Sequence, residues 1–153
     1  MREFLLSISL LLWSVVARAS GVPESFFPKD EAQRAEYAVT MDFGRMHLSG
    51  ICVMKRIGGE LVGTLMNEFG VRAFDFRYDP HRGTLKLSNL LALLDRWYIR
   101  KTLRRDLQLL LRYGDDGVSR TIRGRRLERR TDGPLVLTHL RRDLKIGFSP
   151  LNP

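Results

Sequence analysis

The chain lacks almost everything that marks a catalyst. Its 153 residues include one cysteine, Cys52. No intramolecular disulfide is possible, so the fold must hold by its core. Cys52 sits in an apolar stretch and reads as a buried, inert thiol. Histidine is nearly as scarce. His47, His81 and His139 lie far apart, without the i, i+4 pairing or the cysteine partners of a zinc site. No Gly-x-Ser-x-Gly elbow and no Gly-x-x-x-x-Gly-Lys phosphate loop occurs. Asp75 and Asp79 could pair as acid and base, but one falls in a strand and the other in a turn. Nothing sets them above ordinary structural carboxylates. These absences predict a non-enzymatic protein that needs no metal and no cofactor. Acidic residues are also in deficit, 17 against 26 Lys and Arg, for a net charge of +9. No apolar run reaches the roughly 20 residues of a membrane span.

What is present begins with the first twenty residues. Arg2 precedes an apolar run, Leu5 to Val16, broken only by serines, and Ala17-Arg18-Ala19 follows. This is the layout of a secretory signal peptide over residues 1–19, with cleavage after Ala19. An uncleaved anchor is the alternative, though the run is short for one. No cysteine stands at the cleavage point to be acylated. The expected product is therefore exported, periplasmic and released. A basic chain in that compartment meets anionic headgroups and acidic polymers, and nucleic acid is not expected as a partner. A basic face that only aids solubility is the plainer reading of the charge.

Residues 20–36 read as a lead-in, with Pro23 and Pro28 interrupting regular structure and Asp30 to Glu36 able to form a helical turn or two. Phe26 and Phe27 are too apolar for a free tail and should dock on the body. Residues 37–153 then read as a single domain. From Tyr37 the apolar period is two, which predicts strand. A second strand, Met46 to Ile57, is apolar on both faces and should be covered on both. Gly58-Gly59 predicts a hairpin. Further strands are expected over Glu60 to Glu68, Val71 to Tyr78 and Thr84 to Leu87. Between Asn89 and Tyr113, Leu90, Leu94, Trp97, Leu103, Leu107, Leu110 and Leu111 recur at helical steps, with Arg100, Lys101, Arg104, Arg105 and Arg112 on the other side. One amphipathic helix is expected, or two with a break near Asp95 to Tyr98, stopping at Gly114. Val118 to Arg129 reads as strand, and Leu135 to Phe148 as one or two more. The expected class is α+β, mainly β: an antiparallel meander whose apolar face the helix covers.

Two features carry charge. Arg120, Arg123, Arg125, Arg126, Arg129 and Arg130 fall within eleven residues. In strand period Arg123 and Arg125 share one face, and Arg120 and Arg126 the other. Both faces cannot lie in a dry core, because an unpaired buried guanidinium is very costly. The arginines either protect an edge strand from sticking or bind an anionic group, with Arg120, Arg123, Arg125 and Arg126 as the candidates. The helix either docks simply on the sheet, or is a movable cover, or presents a basic surface to an anionic membrane.

The segments Leu48-Ser49-Gly50-Ile51-Cys52-Val53-Met54-Lys55, Met66-Asn67-Glu68-Phe69-Gly70, Phe74-Asp75-Phe76 and Leu94-Asp95-Arg96 stand in a telling order. Over residues 37–112 the chain resembles the superfamily of the periplasmic lipoprotein carrier and its outer-membrane lipoprotein receptor. The resemblance implies a half-open β-barrel with helices on the concave side, and non-covalent shielding of acyl chains from a lipid or lipoprotein. It makes Met41, Phe43, Cys52, Met54, Leu65, Phe74, Phe76 and Trp97 the candidates to line the apolar cavity, since methionine and aromatics suit irregular acyl contacts. The chain departs from the family in being short for a full carrier barrel and in lacking the receptor's lipid-bearing cysteine. A non-enzymatic module that grips an acidic envelope partner through the Arg120–Arg130 hairpin is the competing function. Salt separates the two, because charge pairing weakens with ionic strength and acyl burial does not.

Overall fold

A computed structural model describes residues 25–129 and 133–151. The expected leader and Arg130 lie outside these residues. The chain opens with β1 (Arg34–Phe43), β2 (Met46–Ile57), β3 (Glu60–Asn67), β4 (Arg72–Asp79) and β5 (Thr84–Ser88), an antiparallel meander. A single long helix follows, α1 (Trp97–Tyr113), continued by a 3₁₀ turn over Gly114–Asp116. A second meander consists of β6 (Arg120–Ile122), β7 (Arg125–Arg129), β8 (Leu135–His139) and β9 (Leu144–Pro150). β9 pairs with β1 from Tyr37 opposite Pro150 to Phe43 opposite Leu144. That pairing fuses the meanders into one sheet of order β5-β4-β3-β2-β1-β9-β8-β7-β6. The fold is thus mainly-β α+β, an open antiparallel sheet with a covering helix, as the pattern predicts. β5 and β6 are its edges, and the sheet is neither closed nor strongly curled.

The alternation of side chains builds the core. Met41 stands opposite Leu48 and Ile146, Cys52 opposite Tyr37 and Leu65, and Phe76 opposite Gly63 and Leu87. All are on one face, so register alone gathers the large apolar groups on one side of the sheet. α1 covers that face with Leu103, Leu107, Leu110 and Leu111. Each such side chain contributes about 1.5–3 kcal/mol when fully buried. Phe26 and Phe27 dock as expected. The Tyr37 hydroxyl donates to the Phe26 carbonyl, and the Phe27 N–H donates to Asp115 at 3.1 Å.

Several expectations are corrected. β1 starts at Arg34, where a helical turn was possible, because the long β2 offers Lys55 as a partner for Arg34. β2 is covered on one face only. Ile51 is 44% exposed, since a chain with one long helix has nothing to lay on the outer face. The helix begins at Trp97 rather than Asn89. Asn89 adopts φ 50, which turns the chain after β5, and the Leu91 N–H donates to the Ala73 carbonyl, holding this segment to the sheet. The arginine segment is a hairpin, not one strand. Arg123 and Gly124, both at positive φ (49 and 76), make its two-residue turn. The helix does stop at Gly114 as expected, though not through the left-handed conformation. The Gly114 φ is −67, and a Cβ there would meet Leu135 at 2.5 Å and Phe27 at 2.9 Å. Glycine is needed so that the lead-in can pack against the helix end.

Gly50 is needed for a closer approach still. The β3–β4 register shifts between Leu65 and Met66, and a Cβ on Gly50 would lie 1.9 Å from the Met66 carbonyl oxygen. Backbone cannot step aside as a flexible side chain can. Gly50→Ala should therefore lower stability by about 1–3 kcal/mol. A urea unfolding midpoint equal to that of the natural chain would show that this contact is not real.

Candidate functional site

The residues expected to line an apolar cavity do not stay together. Met41, Cys52, Met54, Leu65, Phe74 and Phe76 are fully buried in the core under α1, and Phe43 is half-buried at its margin. Burial pushes the Cys52 thiol well above its ordinary value, so it forms no thiolate near neutral pH. Trp97 stands apart. It is 78% exposed at the start of α1, its ring 6.0 Å edge-on from that of Tyr98. It does not continue the leucine stripe. At three, four and seven residues before Arg100, Lys101 and Arg104, it shares their ridge of the helix.

That ridge faces β5, and between them lies an open groove of about 510 Å³. Leu85, Leu87 and Trp97 form its apolar part, and Arg100, Lys101 and Arg104 its cationic part; Lys86 borders it from β5, but by strand alternation its side chain stands on the opposite face, on the side of Arg77. Its volume falls within the roughly 300–1,000 Å³ of small-molecule sites. The helix position follows from a contact one turn on: the Gln108 side-chain amide donates to the Gly83 carbonyl in the β4–β5 turn. The basic side of the helix is legible in the sequence. Its meeting with Leu85 and Leu87 is not, because that depends on which edge of the sheet α1 lies against. The helical spacing of Trp97 to the cations was the available signal.

The arginine hairpin is mostly structural. With a turn at Arg123-Gly124, Arg120 pairs with Leu127, and Arg120 and Arg125 share the inner face, while Arg126 points outward. The expected grouping therefore does not hold: Arg120 shares a face with Arg125 and not with Arg126, and Arg123 stands in the turn. Arg120 binds Asp116 at 2.7 Å and lies over the Tyr113 ring. Arg125 Nε donates to Asp106 Oδ1 at 2.7 Å. Arg123 and Arg126 remain exposed. The four candidates are thus not one site.

Asp106 was not anticipated. It is fully buried within the leucine stripe of α1, and its Oδ2 has no partner among the described residues. A carboxylate at a core position of an amphipathic helix was the clue. Burial raises its pKa, opposed by the hydrogen bond and charge of Arg125 and by His139 and Arg142. Burial also lowers the pKa of His139, helped by Arg125 and opposed by Asp106. The pair ties α1 to β7, as the Gln108 contact ties it near β5.

One end of the sheet is distinctive. The β1–β2, β3–β4, β6–β7 and β8–β9 turns, the end of β5 and the start of α1 all lie there, as the antiparallel order requires. Phe69, Val71, Leu93, Trp97, Tyr98 and Leu140 are exposed at this end. They are six of the ten exposed large apolar side chains among the described residues. Arg45, Arg96, Arg123, Arg141 and Arg142 stand exposed among them. No group of His, Cys, Asp and Glu able to hold a metal occurs among the described residues. No described helix is long and apolar enough to cross a membrane.

Comparison with known proteins assigns no family: no family model matches the chain, and no curated protein matches it.

The buried pair gives a test of what fixes the helix. A group whose folded pKa is raised favours its protonated form in the fold, so its contribution to stability falls as pH rises through that pKa. Arg125→Met leaves the Asp106 carboxylate buried without its partner. The variant should lose about 3–5 kcal/mol at neutral pH. The deficit should shrink in acid, where Asp106 takes up a proton. Urea melts across pH measure both. A deficit that does not change with pH would mean that Asp106 does not titrate in the fold.

Proposed function

We propose that this chain is an exported, non-enzymatic binding or carrier protein for an acyl chain of a lipid or lipoprotein. The observation that carries this reading is the groove between β5 and α1, with its apolar floor of Leu85, Leu87 and Trp97. Burial of one methylene contributes about 0.8 kcal/mol. Only the methylenes that face this floor gain it, because Leu85 and Leu87 are themselves 5% and 9% exposed. The groove is superficial, because the core behind it is filled. An acyl chain therefore lies along the α1–β5 seam, and reaches the interior only if α1 parts from β5. The likeness to lipoprotein carriers fits this arrangement of sheet, cover and ligand. The signal-like leader supports export.

The apolar and basic end of the sheet supports an anionic membrane surface as the second partner. Aromatic and aliphatic tips enter the headgroup region, and arginines pair with anionic lipid. Trp97 belongs to both features, so the groove opens where the membrane would be met. The competing reading, an acidic partner at the Arg120–Arg130 hairpin, is weakened by the internal pairing of Arg120 and Arg125.

Trp13 and Trp97 are the two tryptophans, and residues 20–153 hold Trp97 alone. In that mature chain, saturation with a dodecyl-chain ligand should move Trp97 emission to shorter wavelength. Emission that stays at the wavelength of exposed tryptophan would refute the groove as the acyl site. For the membrane surface, the double variant Phe69→Ser, Leu140→Ser should sediment with anionic vesicles several-fold less than the natural chain. Equal sedimentation would remove this end from the account.

A further inference from the structure

Two of the three cations in the groove take no part in holding the fold together. Six arginines of the sheet and its turns are paired: Arg34 with Glu36, Arg72 with Asp75, Arg77 with Glu60, Arg82 with Asp79, Arg120 with Asp116 and Arg125 with Asp106, while Arg45, Arg123, Arg126 and Arg141 are exposed. In the groove Arg100 reaches Asp95 at 3.3 Å. Lys101 and Arg104 have no hydrogen-bond or ion-pair partner among the described residues. Their placement is unfavourable in itself. Arg100 and Arg104 are four apart on one helix, where like charges repel. Arg100 and Lys101 also lie near the positive end of the helix dipole, and no acidic residue stands in the first turn. A helix that needed only to cover a sheet would be more stable with carboxylates at these places.

The geometry points to an anionic headgroup subsite: Lys101 and Arg104 receive a phosphate or other oxyanion whose attached chain lies on Leu85, Leu87 and Trp97. The inference rests on reading the groove as the acyl site and adds the class of ligand, an anionic amphiphile. The order of groups along the ridge supports it. Trp97 is one turn from Lys101, and Arg104 one turn further, so an apolar contact and two cations follow one another on one line of the helix. A phosphate suits this wall because arginine offers a planar fork and lysine a compact charge. The cations stay partly open to water, so binding must weaken with salt. An uncharged or zwitterionic head would leave the repulsion in place.

The test uses residues 20–153 with Trp97 emission as the readout. The probes are dodecyl phosphate, dodecylphosphocholine (both below micelle formation) and inorganic phosphate. Dodecyl phosphate should bind at least about tenfold tighter than the zwitterion, a difference of about 1.4 kcal/mol, and weaken as salt rises. The double variant Lys101→Gln, Arg104→Gln changes exposed side chains only. It should erase that preference, weakening dodecyl phosphate about tenfold and dodecylphosphocholine, whose phosphate is offset by its own ammonium, by much less. If both dodecyl ligands bind equally, with no salt dependence, the headgroup subsite is refuted and the acyl site stands. If inorganic phosphate binds as tightly as dodecyl phosphate, the anion site stands and the acyl reading fails. If no probe binds, both fail.

Discussion

A sheet with one apolar face must be covered, and the described residues include one long helix with which to cover it. Nine strands at about 4.8 Å spacing span roughly 40 Å. A 17-residue helix is about 25 Å long and 10 Å wide. The helix cannot shield the whole face. The lead-in covers part of the remainder: Phe26 stacks on Tyr37 and meets Phe27 edge-on, and Tyr37 meets Phe148 edge-on. Over β5 the cover is α1 itself, which packs on this strand and buries Leu85 and Leu87. The groove is the seam left between the start of α1 and this edge strand, where the proposed ligand would enter.

The same mismatch explains the polar contacts of the helix. Leucines alone would let α1 slide or rotate on a smooth apolar face. The buried Asp106–Arg125 pair and the Gln108–Gly83 contact lie on opposite flanks and fix its rotation. A buried pair adds little net stability but is costly to break. Fixed rotation is what turns Trp97, Arg100, Lys101 and Arg104 toward β5. The arginine hairpin thus helps to hold α1 in place, through Arg125.

Much of the fold was legible because it rests on short-range rules. Alternation at Tyr37, Val39 and Met41 and the glycine turn at Gly58-Gly59 are local, and so is the leucine repeat of α1. The errors have physical causes as well. Arg123-Gly124 was hidden because arginine rarely adopts positive φ, and the run of charges looked like continuous strand. Cover on both faces of β2 was expected from composition, but composition does not say how many layers the chain can build. The leader and the lipoprotein-carrier likeness rest on sequence alone. The groove was half legible. Its cations and tryptophan share a helical ridge, but Leu85 and Leu87 join them only through the long-range choice of sheet edge. Asp106 was passed over because a single carboxylate in an apolar stripe resembles noise until its arginine is found across the core.

The central claim is that a surface seam beside one sheet edge holds a lipid-like guest. Native mass spectrometry of the mature protein, purified gently from an exported preparation and followed by organic extraction, tests it most directly. The account predicts a stoichiometric adduct that extracts into organic solvent and carries an acyl chain. A clean mass for the bare chain, unchanged after incubation with phospholipid or acylated peptide, would contradict it.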